Sequence, residues 1–524
     1  MDSHKGADGT VMRGSRRIAT QTTAFGSVGN TLLVFLQAVL LIPLYLHYIG
    51  PRLYGAWLGS GDLLLWIQVV DLGLPNLMIQ RIGAAQGRGD NQSVGEWFAT
   101  GTLVIGVVSL VVTMIGAAAS VFLPGWMSLS GAEASQLRSC LLVGVVASGI
   151  ILLNNSFVGF SRGIQDTAFM NGVLLVSSLA SLGTSLVLIL SGWGLWALAL
   201  GLAARAAVAL FGSLLFVAPS LKGNLRPFFR IRTPILREFA VACPGTAFGS
   251  VSYAVMNHSE TALVAILIRP EVATLFNLTR KAADVARGML DTIGFASYGG
   301  FAHLVGSDER HRALHVHAEI TSLYLSMAVV AASAYMAVNR SLVTVWVGAD
   351  QFGGVVLTML MAAQLIVVGQ SYLLNYLYRA AGAVVKGSVA LGSECALRFP
   401  LMIGLLLWIG LPGLPVAAIT TAALSAALVN RWTKSELSAY GEPVRPLPGR
   451  LVTVRVALLA TGILGGVLLS EPSWGYVLVT GSLIVLVGGS ALLAVDPLQK
   501  NLTVPALSRA GSLLRWGRET KEER

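Results

Sequence analysis

Apolar runs of about 20 residues follow one another along nearly the whole chain, separated by short polar turns. A helix of that length crosses the hydrocarbon core of a bilayer. The pattern predicts fourteen spans, at about 23–46, 55–79, 97–123, 138–158, 169–191, 194–218, 239–268, 272–299, 319–340, 352–375, 389–410, 414–432, 452–470 and 474–494. The expected fold class is therefore all-α, a polytopic membrane protein. A faint repeat lays residues 50–90 over 269–309: Pro51 falls on Pro270, Gly87 on Gly306 and Asp90 on Glu309. Repeated halves are a common build for transporters. They predict a cytoplasmic segment at 1–22, a first six-span lobe at 23–218 and a basic linker at 219–238. A second six-span lobe follows at 239–432, then a loop with spans 13 and 14 at 433–494, and a cytoplasmic tail at 495–524.

Composition agrees. Of the 524 residues 55% are apolar and 12% charged, about half the charged share of a soluble domain. The net charge of +11 does not point to nucleic acid, because the basic residues sort by side of the membrane. With the N-terminus inside, cytoplasmic segments hold 27 Lys and Arg, and the outer loops hold Arg52, Arg138, Arg269 and Arg340. That asymmetry predicts both termini in the cytoplasm. Arg16-Arg17 reads as a charge cluster before an uncleaved first span. Ala506 to Trp516 in the tail is amphipathic and reads equally as a strip on anionic lipid or a solvated tail. The loops are too short for a catalytic domain, and no nucleotide-binding, serine-hydrolase or zinc-protease motif occurs in a usable context. The expectation is a protein that is not an enzyme, with no cofactor and no metal. Cys140, Cys243 and Cys395 read as small core residues. His311, His315 and His317 read as part of a solvated loop.

Five bases sit inside apolar spans: Arg205, Arg280, Lys281, Arg287 and Arg398. A charge kept at that depth faces a cavity or a partner. In span 8, Arg280, Asp284, Arg287 and Asp291 fall within an arc of about 60° and run about 16 Å along the axis. One reading is a self-neutralising ladder of i,i+4 pairs; the other is a polar wall that holds an anion. Lys281 lies beside the stripe. Arg398 has Glu394 one turn before it, so a local pair stands beside a binding role. Arg205 is alone among alanines, which favours a cavity or a partner in another span. Asp62, Asp71 and Glu260, with Asp284 and Asp291, are candidates for ion coupling or for pairing with the arginines. Asp62 and Asp71 point to opposite faces of one continuous helix.

The first hundred residues carry a resemblance. Ile49-Gly50-Pro51-Arg52-Leu53-Tyr54-Gly55, followed by Asp71-Leu72-Gly73-Leu74, resembles the polysaccharide-transport branch of the multidrug/oligosaccharidyl-lipid/polysaccharide (MOP) exporter superfamily. The second half is similar in layout at Arg269-Pro270-Glu271 but departs at Ala273-Thr274, where that family often has Gly. The resemblance implies a flippase of the bacterial cytoplasmic membrane that moves undecaprenyl-pyrophosphate-linked oligosaccharide by alternating access. O-antigen or exopolysaccharide synthesis would use it. Its partners would be the lipid-linked oligosaccharide, membrane lipids, and the polymerase and other glycan-assembly membrane proteins. Arg280, Lys281, Arg287, Arg205 and Arg398 would then bind the pyrophosphate. Three alternatives remain open: a drug/cation antiporter or peptidoglycan-precursor flippase of the same superfamily, a membrane glycan polymerase or glycosyltransferase, and a scaffold. The scaffold would not need charges in mid-span.

Overall fold

A computed structural model describes residue 37 and residues 39–69, 74–223, 225, 229–306, 312–438 and 449–496. The segment at 1–22, Asp71, His311 and the tail from 497 lie outside the described residues. The helices are α1 (Val39–Tyr48), α2 (Pro51–Val69), α3 (Leu74–Gly87), α4 (Asn91–Trp126), α5 (Gly131–Gly163), α6 (Ala168–Leu190) and α7 (Trp196–Lys222). There follow α8 (Thr233–Asn257), α9 (Glu260–Leu267), α10 (Pro270–Gly306), α11 (Ala313–Val347), α12 (Val355–Ala380), α13 (Val384–Ile409) and α14 (Gly413–Leu437). The last are α15 (Gly449–Leu468), α16 (Trp474–Leu483) and α17 (Gly489–Val495), the latter two joined by a π-turn into one span. Among the described residues there is no strand, and ten helices are long and apolar enough to cross a membrane. The protein is a multi-pass, all-α membrane protein. The expected span 7 is not a single helix. It breaks at His258-Ser259 between α8 and α9, and the described residues of span 2 belong to α2 and α3.

The chain divides into two compact units, residues up to 274 and residues from 275. The first is held by small residues where helices cross. A Cβ on Gly101 would lie 2.5 Å from Met78 Sδ, one on Gly163 2.6 Å from Ile82, and one on Gly116 2.8 Å from Ile67. In lipid the hydrophobic effect does not press helices together, so such close packing supplies the attraction. At one end of the unit Phe98 collects Phe160, Phe157 and Phe229 at ring separations of 4.4, 5.7 and 5.6 Å. The basic linker is anchored there: Arg232 binds Glu96 at 2.7 Å, and its amide donates to the Thr100 hydroxyl at 3.1 Å. That carboxylate holds the Arg232 guanidinium above its ordinary pKa.

The turn that opens α2 shows why its motif has these residues. Gly50 takes φ +84°, a left-handed conformation that glycine adopts without penalty, and Pro51 starts the helix. Gly55 lies against the start of α10, where a Cβ would stand 1.8 Å from the Pro270 carbonyl oxygen. Thr274, at the departure noted above, donates its hydroxyl to the Pro51 carbonyl at 2.7 Å. The faint repeat has a structural counterpart as well. Pro51 and Pro270 each open a helix.

The second unit is built on α11. A polar knot ties it to α10 and α12: Tyr335 Oη donates to the Thr279 carbonyl at 2.8 Å, and Asn339 Nδ2 donates to that carbonyl and to Thr358 Oγ1, each at 3.1 Å. The Gly353 amide donates to Thr279 Oγ1 at 2.8 Å. Interhelical hydrogen bonds of this kind each add roughly 0.6 kcal/mol in a membrane. α15 meets α11 along a glycine seam, where Cβ atoms on Gly462 and Gly466 would lie 2.6 and 2.1 Å from the carbonyl oxygens of Ser333 and Met336. His315 and His317 belong to α11 and not to a loop, and His317 is buried beside Phe301, because the helix begins at Ala313. Cys140 and Cys395 are free thiols; the Cys243 side chain is outside the described ones.

Candidate functional site

The five intramembrane bases separate by environment. On α10 the stripe forms as i,i+4 pairs: Arg280 Nε lies 3.1 Å from Asp284 Oδ2 and Arg287 Nε 3.8 Å from Asp291 Oδ2. Each guanidinium also covers an aromatic ring, Arg280 over Phe276 at 5.2 Å and Arg287 over Tyr372 of α12 at 4.8 Å. Cation–π contact adds to the Coulomb attraction and fixes the orientation of the fork. Asp284 is exposed, and Arg280, Arg287 and Asp291 are half-buried. The stripe is thus a two-signed polar track, close to neutral over these four residues. Lys281 is half-buried beside it and has no ion pair among the described residues.

Arg398 is the most enclosed of the five. It is 1% exposed, bonded to Glu394, to Thr421 Oγ1 at 3.0 Å and to the Ala418 carbonyl at 3.4 Å. Its donors are taken up in tying α13 to α14. Glu394 also lines an apolar cavity of about 680 Å³ between those helices, whose far end carries the Lys386–Glu436 ion pair.

Arg205 stands in a different setting. It lines a cavity of about 280 Å³ inside the first unit, together with Arg162, Asn154, Asn155 and Ser177. No carboxylate lines it among the described residues. Sequence reading counted Arg162 with the loop cations and passed over the asparagines. The available signal was Asn154-Asn155, an adjacent amide pair in the middle of an apolar run.

The candidate acids are dispersed. Glu260 is buried at the first residue of α9, where the positive end of the helix dipole favours a carboxylate. The break before it is not left open, since Trp66 Nε1 donates to the His258 carbonyl at 2.8 Å. Asp62 belongs to α2, but its side chain, like all of Asp71, lies outside the described residues. No group of three or more His, Cys, Asp or Glu able to hold a metal occurs among the described residues.

One charged cluster escaped sequence reading altogether. Arg455 is one of the 27 basic residues that the charge pattern assigns to the cytoplasm, yet it is buried in α15. Its Nη2 donates to the Ser322 carbonyl at 3.0 Å and to the hydroxyls of Ser322 and Ser326 at 2.9 Å. Ser322 in turn donates to Asp496 Oδ2 at 2.6 Å, 4.0 Å from the same guanidinium nitrogen. This bridged ion pair, with Val330, Leu451 and Leu492, docks the last two spans on α11.

No family model matches the sequence, and no characterised protein matches it by sequence. Solved structures do match in three dimensions. An inward-facing multidrug resistance MATE family transporter of the MOP superfamily superposes with a TM-score of 0.57 at 14% identity, over 77% of this chain and 95% of that one. A MATE in complex with MaD3S superposes at 0.58 and 14%, over 81% and 96%. The lipid II flippase MurJ, in an inward closed conformation, superposes at 0.60 and 11%, over 91% and 99%. The chain therefore has the fold of MOP-superfamily transporters.

Proposed function

We propose that this protein is a flippase that moves a polyprenyl-diphosphate-linked oligosaccharide from the cytoplasmic to the outer leaflet of a bacterial cytoplasmic membrane. The observation that carries this reading over drug export is the extent of the fold. The flippase likeness spans 91% of this chain and the MATE likenesses 77% and 81%. The difference matches the length of one pair of spans. The last pair here, α15 and α16–α17, is integral to the second unit through the Arg455–Asp496 network. Charges retained within the spans support the reading, because a polar headgroup crossing the bilayer needs a polar path. In this reading the α10 stripe presents such a path alternately to the two sides of the membrane. Both termini lie in the cytoplasm, and the glycan serves O-antigen or exopolysaccharide synthesis alongside its polymerase.

Proteoliposomes test the proposal. The full chain is expected to move a fluorescent polyprenyl-diphosphate disaccharide between leaflets. Exchange of organic cations for protons or sodium, without lipid translocation, would overturn it in favour of an antiporter. In cells, loss of the protein should remove surface glycan while lipid-linked repeat units accumulate.

A further inference from the structure

The cavity beside Arg205 is lined by two guanidinium groups and by no carboxylate among the described residues. The walls come from α3, α5, α6 and α7, all in the first unit. Two guanidinium groups line it, Arg205 from the middle of α7 and Arg162 from the last turn of α5. Asn154 is buried, and Ser213 donates to its Oδ1 at 2.7 Å, so its NH2 remains as a donor. Asn155 lines the same wall. Ser177 directs its hydroxyl proton to the Leu174 carbonyl at 2.7 Å, which leaves its oxygen only to accept. The lining is thus rich in donors and positive charge, with no carboxylate among the described residues. Elsewhere the arrangement differs: Arg280, Arg287, Arg398 and Arg455 each have a carboxylate nearby.

A guanidinium inside a bilayer is kept where something offsets its desolvation. Phosphate suits this lining best, since a planar fork binds phosphate oxygens in bidentate fashion and amide NH2 groups add neutral donors. Size narrows the ligand. At about 30 Å³ of liquid volume per water, about 280 Å³ has room for a cluster of several waters or a phosphate group. It lies below the usual range for pockets that enclose a drug-sized molecule, so sugars and lipid chain would stay outside.

We infer that Arg205 and Arg162, with Asn154 and Asn155, form a phosphate-binding pocket inside the first unit that takes the diphosphate of the lipid-linked cargo. The cargo assignment rests on the flippase reading above; the phosphate chemistry does not. The pocket is an anion site separate from the α10 stripe, whose own acids already balance its arginines.

The test uses the full-length protein in detergent, with ligand binding read by native mass spectrometry and by the shift in melting temperature. Farnesyl diphosphate, inorganic pyrophosphate and farnesol are the probes. Farnesyl diphosphate is expected to bind and stabilise, and farnesol is not. Arg205→Gln should weaken that binding about tenfold or more, the loss of one charge-assisted contact. Arg162→Gln should weaken it by a smaller factor, and Arg138→Gln, at an exposed end of α5, should not. Unchanged melting without ligand shows that a variant is folded; if Arg205→Gln is not, Asn155→Asp, which adds an acid to the wall, is expected to weaken binding instead. Wild-type binding in both Arg205→Gln and Arg162→Gln would overturn the pocket. Inorganic pyrophosphate binding as tightly as farnesyl diphosphate, with the same dependence on Arg205, would overturn the lipid-borne assignment. Arg205-dependent binding in a protein that translocates no lipid-linked saccharide would overturn the flippase reading and leave the phosphate site standing.

Discussion

Replacing Arg455 with leucine removes the cation from the seat of the last two spans. The guanidinium and the Asp496 carboxylate are 7% and 0% exposed and 4.0 Å apart. At an effective dielectric constant near 20, that separation corresponds to an attraction of about 4 kcal/mol. Its loss is not the whole effect, because the substitution leaves the Asp496 carboxylate buried without its cation and strips a donor from Ser322 and Ser326. Orphaning one partner of a buried pair costs about 3–5 kcal/mol, whereas replacing both by apolar groups is often neutral. Denaturation of the full chain in mixed micelles should therefore show Arg455→Leu less stable than wild type by about 3 kcal/mol or more. The double variant Arg455→Leu/Asp496→Leu should recover most of that loss. A cysteine placed on α15 should become accessible to thiol reagents in the single variant and protected again in the double. A single variant as stable as wild type, or a double variant as unstable as the single, would refute the assignment of a buried, mutually compensating pair.

Three further outcomes are expected. Gly466→Leu should weaken the docking of α15 on α11 by about 1–3 kcal/mol, the usual cost of overpacking, since its Cβ meets the Met336 carbonyl at 2.1 Å; micelle denaturation reads the loss. Exchanging the charges of the outer pair on α10, Arg280→Asp with Asp284→Arg, should preserve folded yield far better than Arg280→Asp alone, which places two acids at i,i+4; detergent-soluble yield after size exclusion separates the two. Asp90 caps α4 by accepting from the Ser93 hydroxyl at 2.6 Å and the Ser93 amide at 3.0 Å, and these bonds hold its carboxyl below the ordinary carboxylate value. With the folded value lowered, its stabilising contribution is present above the unfolded value and disappears as pH falls through the folded one. Hydrogen exchange in the first turn of α4 should accelerate only in that acidic window, and Asp90→Asn should abolish the pH dependence.

Much of the fold was legible because membranes make hydropathy a direct record of position. Spans 3–6 and 9–14 correspond to α4–α7 and α11–α17, where the runs are long and scarcely charged. Span 7 was less legible. The break at His258-Ser259 needs a donor from Trp66, 192 residues away, to satisfy the freed carbonyl. Periodicity on one helix detected the α10 stripe, since i,i+4 partners are neighbours by helix geometry alone. The same local logic anticipated Arg398 with Glu394.

The sequence by itself determined the class of protein, the α10 ladder and the turn residues Gly50 and Pro51, because each depends on bilayer thickness, on 3.6-residue periodicity or on the freedom of a single backbone angle. Only the tertiary structure decided which charges share an environment. Arg205 and Arg162 are 43 positions apart yet line one cavity, and Arg455 and Asp496 are 41 positions apart yet form one pair. Contacts between helices depend on how each helix is rotated about its axis and where small residues such as Gly462 and Gly466 let backbones meet. That rotation is settled by packing over many residues at once, so no local pattern in the chain records it.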